Sequence, residues 1–131
     1  MTGAASTGGT SLKIKAQVML ADEIAMGPGK AALLEAIASE GSISAAGRAL
    51  GMSYRRTWLL VDTMNRCWRL PLVETAAGGR HGGGARLTDT GALVLAHYRS
   101  IEARLAKTRD GPDWAALHDL LRERPEPPRK G

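Results

Sequence analysis

From Leu12 to Leu20, apolar Leu12, Ile14, Ala16 and Val18 alternate with Lys13, Lys15 and Gln17, the period-two pattern of a half-buried strand. The chain is then expected to turn over Ala21 to Gly27. After Pro28 and Gly29 the period changes: Leu33, Leu34, Ile37 and Ala38 fall on one helical face, and Gly41 closes that helix. Ser42 and Ser44 are N-cap candidates for a short helix of small residues through Leu50, which Gly51 interrupts. Ser53 caps a longer helix running to about Arg69, with Trp58, Val61, Met64 or Asn65, and Trp68 on its buried side.

Pro71 ends that helix. Leu72 to Thr75 and Ala85 to Leu87 read as the two strands of a hairpin whose tip, Gly78 to Gly84, is glycine-rich and basic. Thr88 or Asp89 caps a further helix to about Lys107, striped by Leu93, Val94, Ala96, His97, Ile101, Ala103 or Arg104, and Leu105. Gly111 and Pro112 stop it, and a last amphipathic helix over Asp113 to Arg124 is expected to bury Trp114, Leu117, Leu120 and Leu121. The Thr/Ser/Gly-rich start and the Pro-rich end have little to bury against the entropy of ordering them. The expected organisation is therefore a disordered tail at 1–11, one domain at 12–108, a short helix at 109–124 and a disordered tail at 125–131.

Helix, short helix, glycine turn, longer helix and two-stranded hairpin is the order of a winged helix-turn-helix, mainly α with a small β-hairpin wing. Close packing of the two central helices requires small residues, supplied by Ala45, Ala46, Gly47 and Ala49, and a turn residue that tolerates positive φ, supplied by Gly51. Leu50 and Met52 are expected to anchor that turn in the core. The outward start of the longer helix is Ser53-Tyr54-Arg55-Arg56. In such a fold that turn meets base edges in the major groove, where arginine bonds guanine O6 and N7 or neutralises phosphate. Ser42, Ser44 and Ser53 offer hydroxyls to phosphate oxygens, Tyr54 suits either task, and Arg80 with His81 at the wing tip suits a narrow minor groove.

Composition narrows the alternatives. Among 131 residues, 18 Lys and Arg against 13 Asp and Glu give a net charge of +5, a balance that favours a polyanionic partner. The single cysteine, Cys67, excludes an internal disulfide, and it reads as a small packed residue of a protein in a reducing cytoplasm. His81, His97 and His118 lie on separate elements without ligand spacing, so neither a metal nor another cofactor is expected. Gly27-Pro28-Gly29-Lys30 lacks the spacing and the Ser or Thr of a phosphate loop. No nucleophile–base pair or carboxylate pair stands out, so an enzyme is not expected. No stretch is long and apolar enough for a membrane helix. Trp58 and Trp68 read as core residues, because duplex DNA offers no unstacked base to an aromatic ring.

The stretches Gly27 to Ile37 and Gly41 to Tyr54, with Trp58, Met64-Asn65, Gly78-Gly79 and Gly82-Gly83-Gly84, resemble the N-terminal DNA-binding domain of the molybdenum-responsive regulator ModE, a LysR-like winged helix. The resemblance spans about Leu12 to Leu105 and implies a sequence-specific regulator that binds a pseudo-palindromic duplex as a homodimer. It also implies that the helix after the wing dimerises, which assigns Leu93, Val94, His97, Ile101 and Leu105 to the interface. Full-length members carry molybdate-binding domains further on. So little follows Lys107 here that molybdate binding is not expected. The competing reading is a winged-helix module that docks proteins without reading DNA.

Overall fold

A computed structural model describes residues 9–76 and 83–129. Its elements are β1 (Val18–Leu20), β2 (Glu23–Met26), α1 (Pro28–Glu40), α2 (Ile43–Ala49), α3 (Tyr54–Cys67), β3 (Val73–Thr75), β4 (Ala85–Leu87), α4 (Asp89–Ala106), a 3₁₀ turn (Lys107–Asp110) and α5 (Pro112–Leu120). None of the described helices is long and apolar enough to cross a membrane.

The first hairpin corrects the sequence reading. Leu12, Ile14 and Ala16 are half-buried and Lys13, Lys15 and Gln17 exposed, as the alternation requires, but only Val18–Leu20 is paired as a strand. Its partner is β2, inside the segment expected to be a turn; the turn itself is Ala21-Asp22, with Ala21 at φ 51°. Alternation reports an extended chain, whereas a strand also needs a ladder. The Ala16 carbonyl is taken instead by the Tyr98 hydroxyl, which donates to it at 2.8 Å.

Three helices build the core. α1 starts on Pro28 and ends at Gly41, whose N–H bonds the Ile37 carbonyl and whose φ of 78° turns the chain out of the helix. Ala31, Leu33, Leu34 and Ile37 of α1 are buried with Ile43 and Ala46 of α2 and Val61 and Met64 of α3. Ala38, expected on the inner face of α1, is exposed. Between α2 and α3, Gly51 adopts φ 71° and the Met52 N–H bonds the Gly47 carbonyl at 2.8 Å. Gly47 faces Thr57 so closely that a Cβ there would collide with the Thr57 hydroxyl. Leu50, expected to be a core anchor, is 40% exposed, while Met52 packs partly against the core.

β3 and β4 pair antiparallel with Val73 opposite Leu87, Glu74 opposite Arg86 and Thr75 opposite Ala85. Asn65 of α3 holds this hairpin: its Oδ1 accepts from the Leu72 and Val73 N–H groups at 2.9 and 3.1 Å, and its Nδ2 donates to the Val73 carbonyl at 3.1 Å. Thr88 caps α4 by accepting from the Gly91 N–H at 2.9 Å. Two packed helices joined at a glycine turn, followed by a hairpin, make this a winged helix-turn-helix, mainly helical with a small β wing.

One compact unit spans Lys15–Glu102 and ends within α4; a second joins the segment through Ile14 to that from Ala103 onward. In the second unit Arg109 donates to the Leu12 carbonyl at 2.8 Å, and the His118 Nε2 lies 2.9 Å from the Thr10 hydroxyl. α5 is shorter than expected, and its apolar side is not buried: Leu117, Leu120 and Leu121 are exposed and Trp114 half-buried. Nine residues on one turn-rich segment offer too little opposing apolar surface to cover that side. Residues Pro125 to Arg129 carry no helix or strand.

Candidate nucleic-acid interface

Ser42 and Ser53 perform the same local task. Each has an extended backbone and accepts a hydrogen bond from the N–H three residues on, Ala45 at 3.0 Å and Arg56 at 3.1 Å. Their acceptor capacity is thus committed to starting α2 and α3, which frees the adjacent turns to face outward. Thr57, fully buried, donates from its hydroxyl to the Ser53 carbonyl at 2.7 Å and fixes the first turn of α3 from within.

Outside that turn stand Tyr54, Arg55 and Arg56, all exposed, with no acidic residue in the first turn of α3. Further along α3, Arg66 is paired with Asp62 at 2.9 Å, and on the wing stem Arg86 is paired with Glu74 at 2.6 Å. Among the described residues no carboxylate lies within ion-pair distance of Arg55 or Arg56. Their charge adds to the positive end of the helix dipole, so the outer start of α3 attracts anions.

Lys30 and Trp58 lie outside the set of site residues expected from the sequence. Lys30, half-buried at the start of α1, is held below the ordinary lysine range, first by burial; Arg56 pushes the same way, and Cys67 and Glu23 oppose it. Trp58, expected in the core, is 39% exposed and packs edge-on against Tyr54, with ring centroids 6.1 Å apart and planes at 61°. The buried stripe of α3 is Thr57, Val61 and Met64, so Trp58 sits one position round the helix from it. Their four-residue separation puts Tyr54 and Trp58 on one face of α3 but does not say whether that face is buried. Trp68 is half-buried, and its indole N–H donates to the Ala25 carbonyl at 3.1 Å.

The start of α2, the aromatic pair and the wing stem surround an open hollow of about 250 Å³, lined among others by Ser42, Ser44, Tyr54, Trp58, Thr75 and Gly84. The structure therefore brings Ser42, Ser44 and Tyr54 together. Arg80 and His81, with Gly78, Gly79 and Gly82, lie outside the described residues. Along α4, Leu93, His97, Ile101 and Leu105 are exposed, whereas Val94 packs partly against the core of its own chain. No group of three or more metal-ligating side chains occurs among the described residues.

Residues 30–92 match the family of bacterial regulatory helix-turn-helix proteins of the lysR type. This segment is a LysR-type helix-turn-helix domain. The match begins at Lys30, two residues into α1, and continues through α2, α3 and the wing into the first turn of α4. Related proteins include the molybdenum-pterin-binding protein MopA of Rhodobacter capsulatus, 47% identical over 57% of this chain and 28% of its own length. The molybdenum transport protein ModE of Azotobacter vinelandii is 46% identical over 60% of this chain and 29% of its own. The DNA-binding transcriptional dual regulator ModE of Escherichia coli K12 is 36% identical over 72% and 37%. The chain thus spans about 30% of the length of the first two relatives.

Proposed function

We propose that this chain is a transcriptional regulator, not an enzyme, and that it binds double-stranded DNA sequence-specifically by placing the start of α3 in the major groove. The observation that carries the reading is the pair Arg55 and Arg56, exposed and without an ion-pair partner among the described residues, at the capped, acid-free start of the second helix of a LysR-type domain. One relative of that domain is named a DNA-binding regulator. In the proposed complex Arg55, Arg56 and Tyr54 face base edges. Ser42, Ser44 and Ser53 lie towards phosphates, with Arg80 and His81 following the adjacent minor groove. A homodimer formed through the exposed face of α4 would present two such helices to half-sites about one helical turn apart.

Measured by fluorescence anisotropy against duplexes selected from a random library, affinity should fall steeply as salt rises. Arg55→Ala and Arg56→Ala should change which bases are preferred, by about ten-fold or more at the contacted position. Arg80→Ala should weaken all duplexes alike. Binding that is indifferent to all three substitutions would refute the assignment. A second reading, a winged-helix module that docks a protein, is favoured by the exposure of Tyr54, Trp58 and Leu59 on α3. It requires that no duplex be selected at all.

A further inference from the structure

The hollow beside α3 contains a feature that cation–phosphate attraction does not explain. Tyr54 is 65% and Trp58 39% exposed, although both are large aromatic residues in a chain whose core takes up other α3 residues fully. Leaving such rings in water forgoes apolar burial. Their edge-to-face arrangement makes an apolar corner, bounded on the other sides by Ser44, Thr75, Gly84 and Ala85. The corner opens beside the acid-free start of α3 that carries Arg55 and Arg56.

We infer that Tyr54 and Trp58 form a specificity-determining wall that packs against the 5-methyl group of a thymine in the major groove. This rests on the proposed reading of duplex DNA. The occupant follows from chemistry: flanking arginines select a polyanion, and the apolar group that a base pair displays in the major groove is the thymine methyl. Paired bases keep their faces stacked, so neither ring can act as a stacking platform on a duplex, whereas an aromatic corner suits a methyl. Arg55 and Arg56 then read guanine or phosphate while the aromatic pair reads thymine, two chemically distinct determinants from one helical turn.

The test uses the full chain and the tightest duplex recovered by selection from a random library, with each thymine replaced in turn by deoxyuracil, which removes only the methyl. The expected result is a loss of about four-fold at one thymine per half-site, the scale of burying a single methyl group. At that position the loss should vanish in Trp58→Leu or in Tyr54→Ala. Circular dichroism melts establish that each variant is folded, and Tyr54→Ala, at the more exposed ring, keeps the test available if Trp58→Leu does not fold. The inference is overturned if no replacement weakens binding, if the selected sites prefer no thymine, or if the loss persists in both variants. Those outcomes leave the DNA reading intact. Failure to select any duplex, or tighter binding to the single strand, overturns the DNA reading itself and this inference with it.

Discussion

Two glycines show how closely single residues constrain this molecule. A Cβ on Gly47 would strike the Thr57 hydroxyl, which its bond to the Ser53 carbonyl holds in place. A Cβ on Gly91 would strike the backbone carbonyl of Leu72, which also accepts the Thr88 N–H at 2.9 Å. Alanine gains up to about 1 kcal/mol of helix propensity over glycine, while overpacking costs about 1 to 3 kcal/mol. Gly47→Ala should therefore destabilise by about 1 to 2 kcal/mol in urea unfolding. Gly91→Ala should destabilise more, because backbone yields less than a side chain. Combining Gly47→Ala with Thr57→Ala should recover part of the loss; no recovery would mean that the helix crossing is not limited by this contact. Tyr98 supplies a pH-dependent counterpart. Burial above all, and then the Glu102 carboxylate, push its hydroxyl from 10.0 up to about 12. Above pH 10 the unfolded chain releases this proton before the folded one does, so the stabilisation is complete below that value and is lost as pH rises through about 12. Tyr98→Phe should be less stable near neutrality by about 1 kcal/mol, the scale of the hydrogen bond to Ala16. The gap between the two proteins should close between pH 10 and 12, as followed by urea midpoints. A constant gap would exclude this titration.

Elements are joined here by polar side chains as much as by apolar area. α1 and α4 are linked by Arg99, whose Nε and Nη2 meet both Glu35 oxygens at 3.0 and 2.7 Å, and Glu102 is drawn in at Nη1. That link draws the Glu35 carboxyl below its ordinary range, chiefly through the hydrogen bond. Glu35 is exposed and Arg99 half-buried, so solvent screens much of the pair and it adds little stability. Asn65 carries more. It satisfies two N–H groups and one carbonyl at the start of the wing, next to buried Leu72 and Val73. Asn65→Leu keeps the volume but leaves these groups without partners, at about 1 to 3 kcal/mol each when buried. The expected outcome is a stability loss of about 3 kcal/mol or more, with amide hydrogen exchange at Leu72 and Val73 accelerated beyond the rest of the core. Protection unchanged at those two amides would show that the wing is held by its ladder alone.

For the whole molecule, the proposed function makes one surface decisive. Leu93 and Ile101 are 60% and 46% exposed on α4, a face expected from family resemblance to meet a second copy. Leu93→Asp or Ile101→Asp should shift the protein towards monomer in analytical ultracentrifugation. Affinity for a two-half-site duplex should fall at least ten-fold while a single half-site is bound as before, because linked binding sites multiply in effective concentration. An unchanged sedimentation profile in both variants would move the dimer interface away from α4.

The sequence by itself determined the order of helices, the glycine turn at Gly51, the caps at Ser42 and Ser53, and the cationic start of α3. Each depends on residues within one or two turns of one another, where periodicity, capping chemistry and φ preference act locally. The strand β2 was not legible, because Ala25 and Met26 are both buried and its ladder depends on a partner that pattern does not name. Nor was the tertiary role of Asn65, eight residues from Val73 but bonded to it twice. The place of Trp58 was decided last. Its spacing is compatible with either side of the α3 stripe; in the folded chain Thr57 faces Gly47, Val61 and Met64 join the core and the tryptophan lines the hollow. Local sequence sets which positions share a helical face; how far that face rotates into the core is set by the neighbours it meets, which is a property of the folded chain.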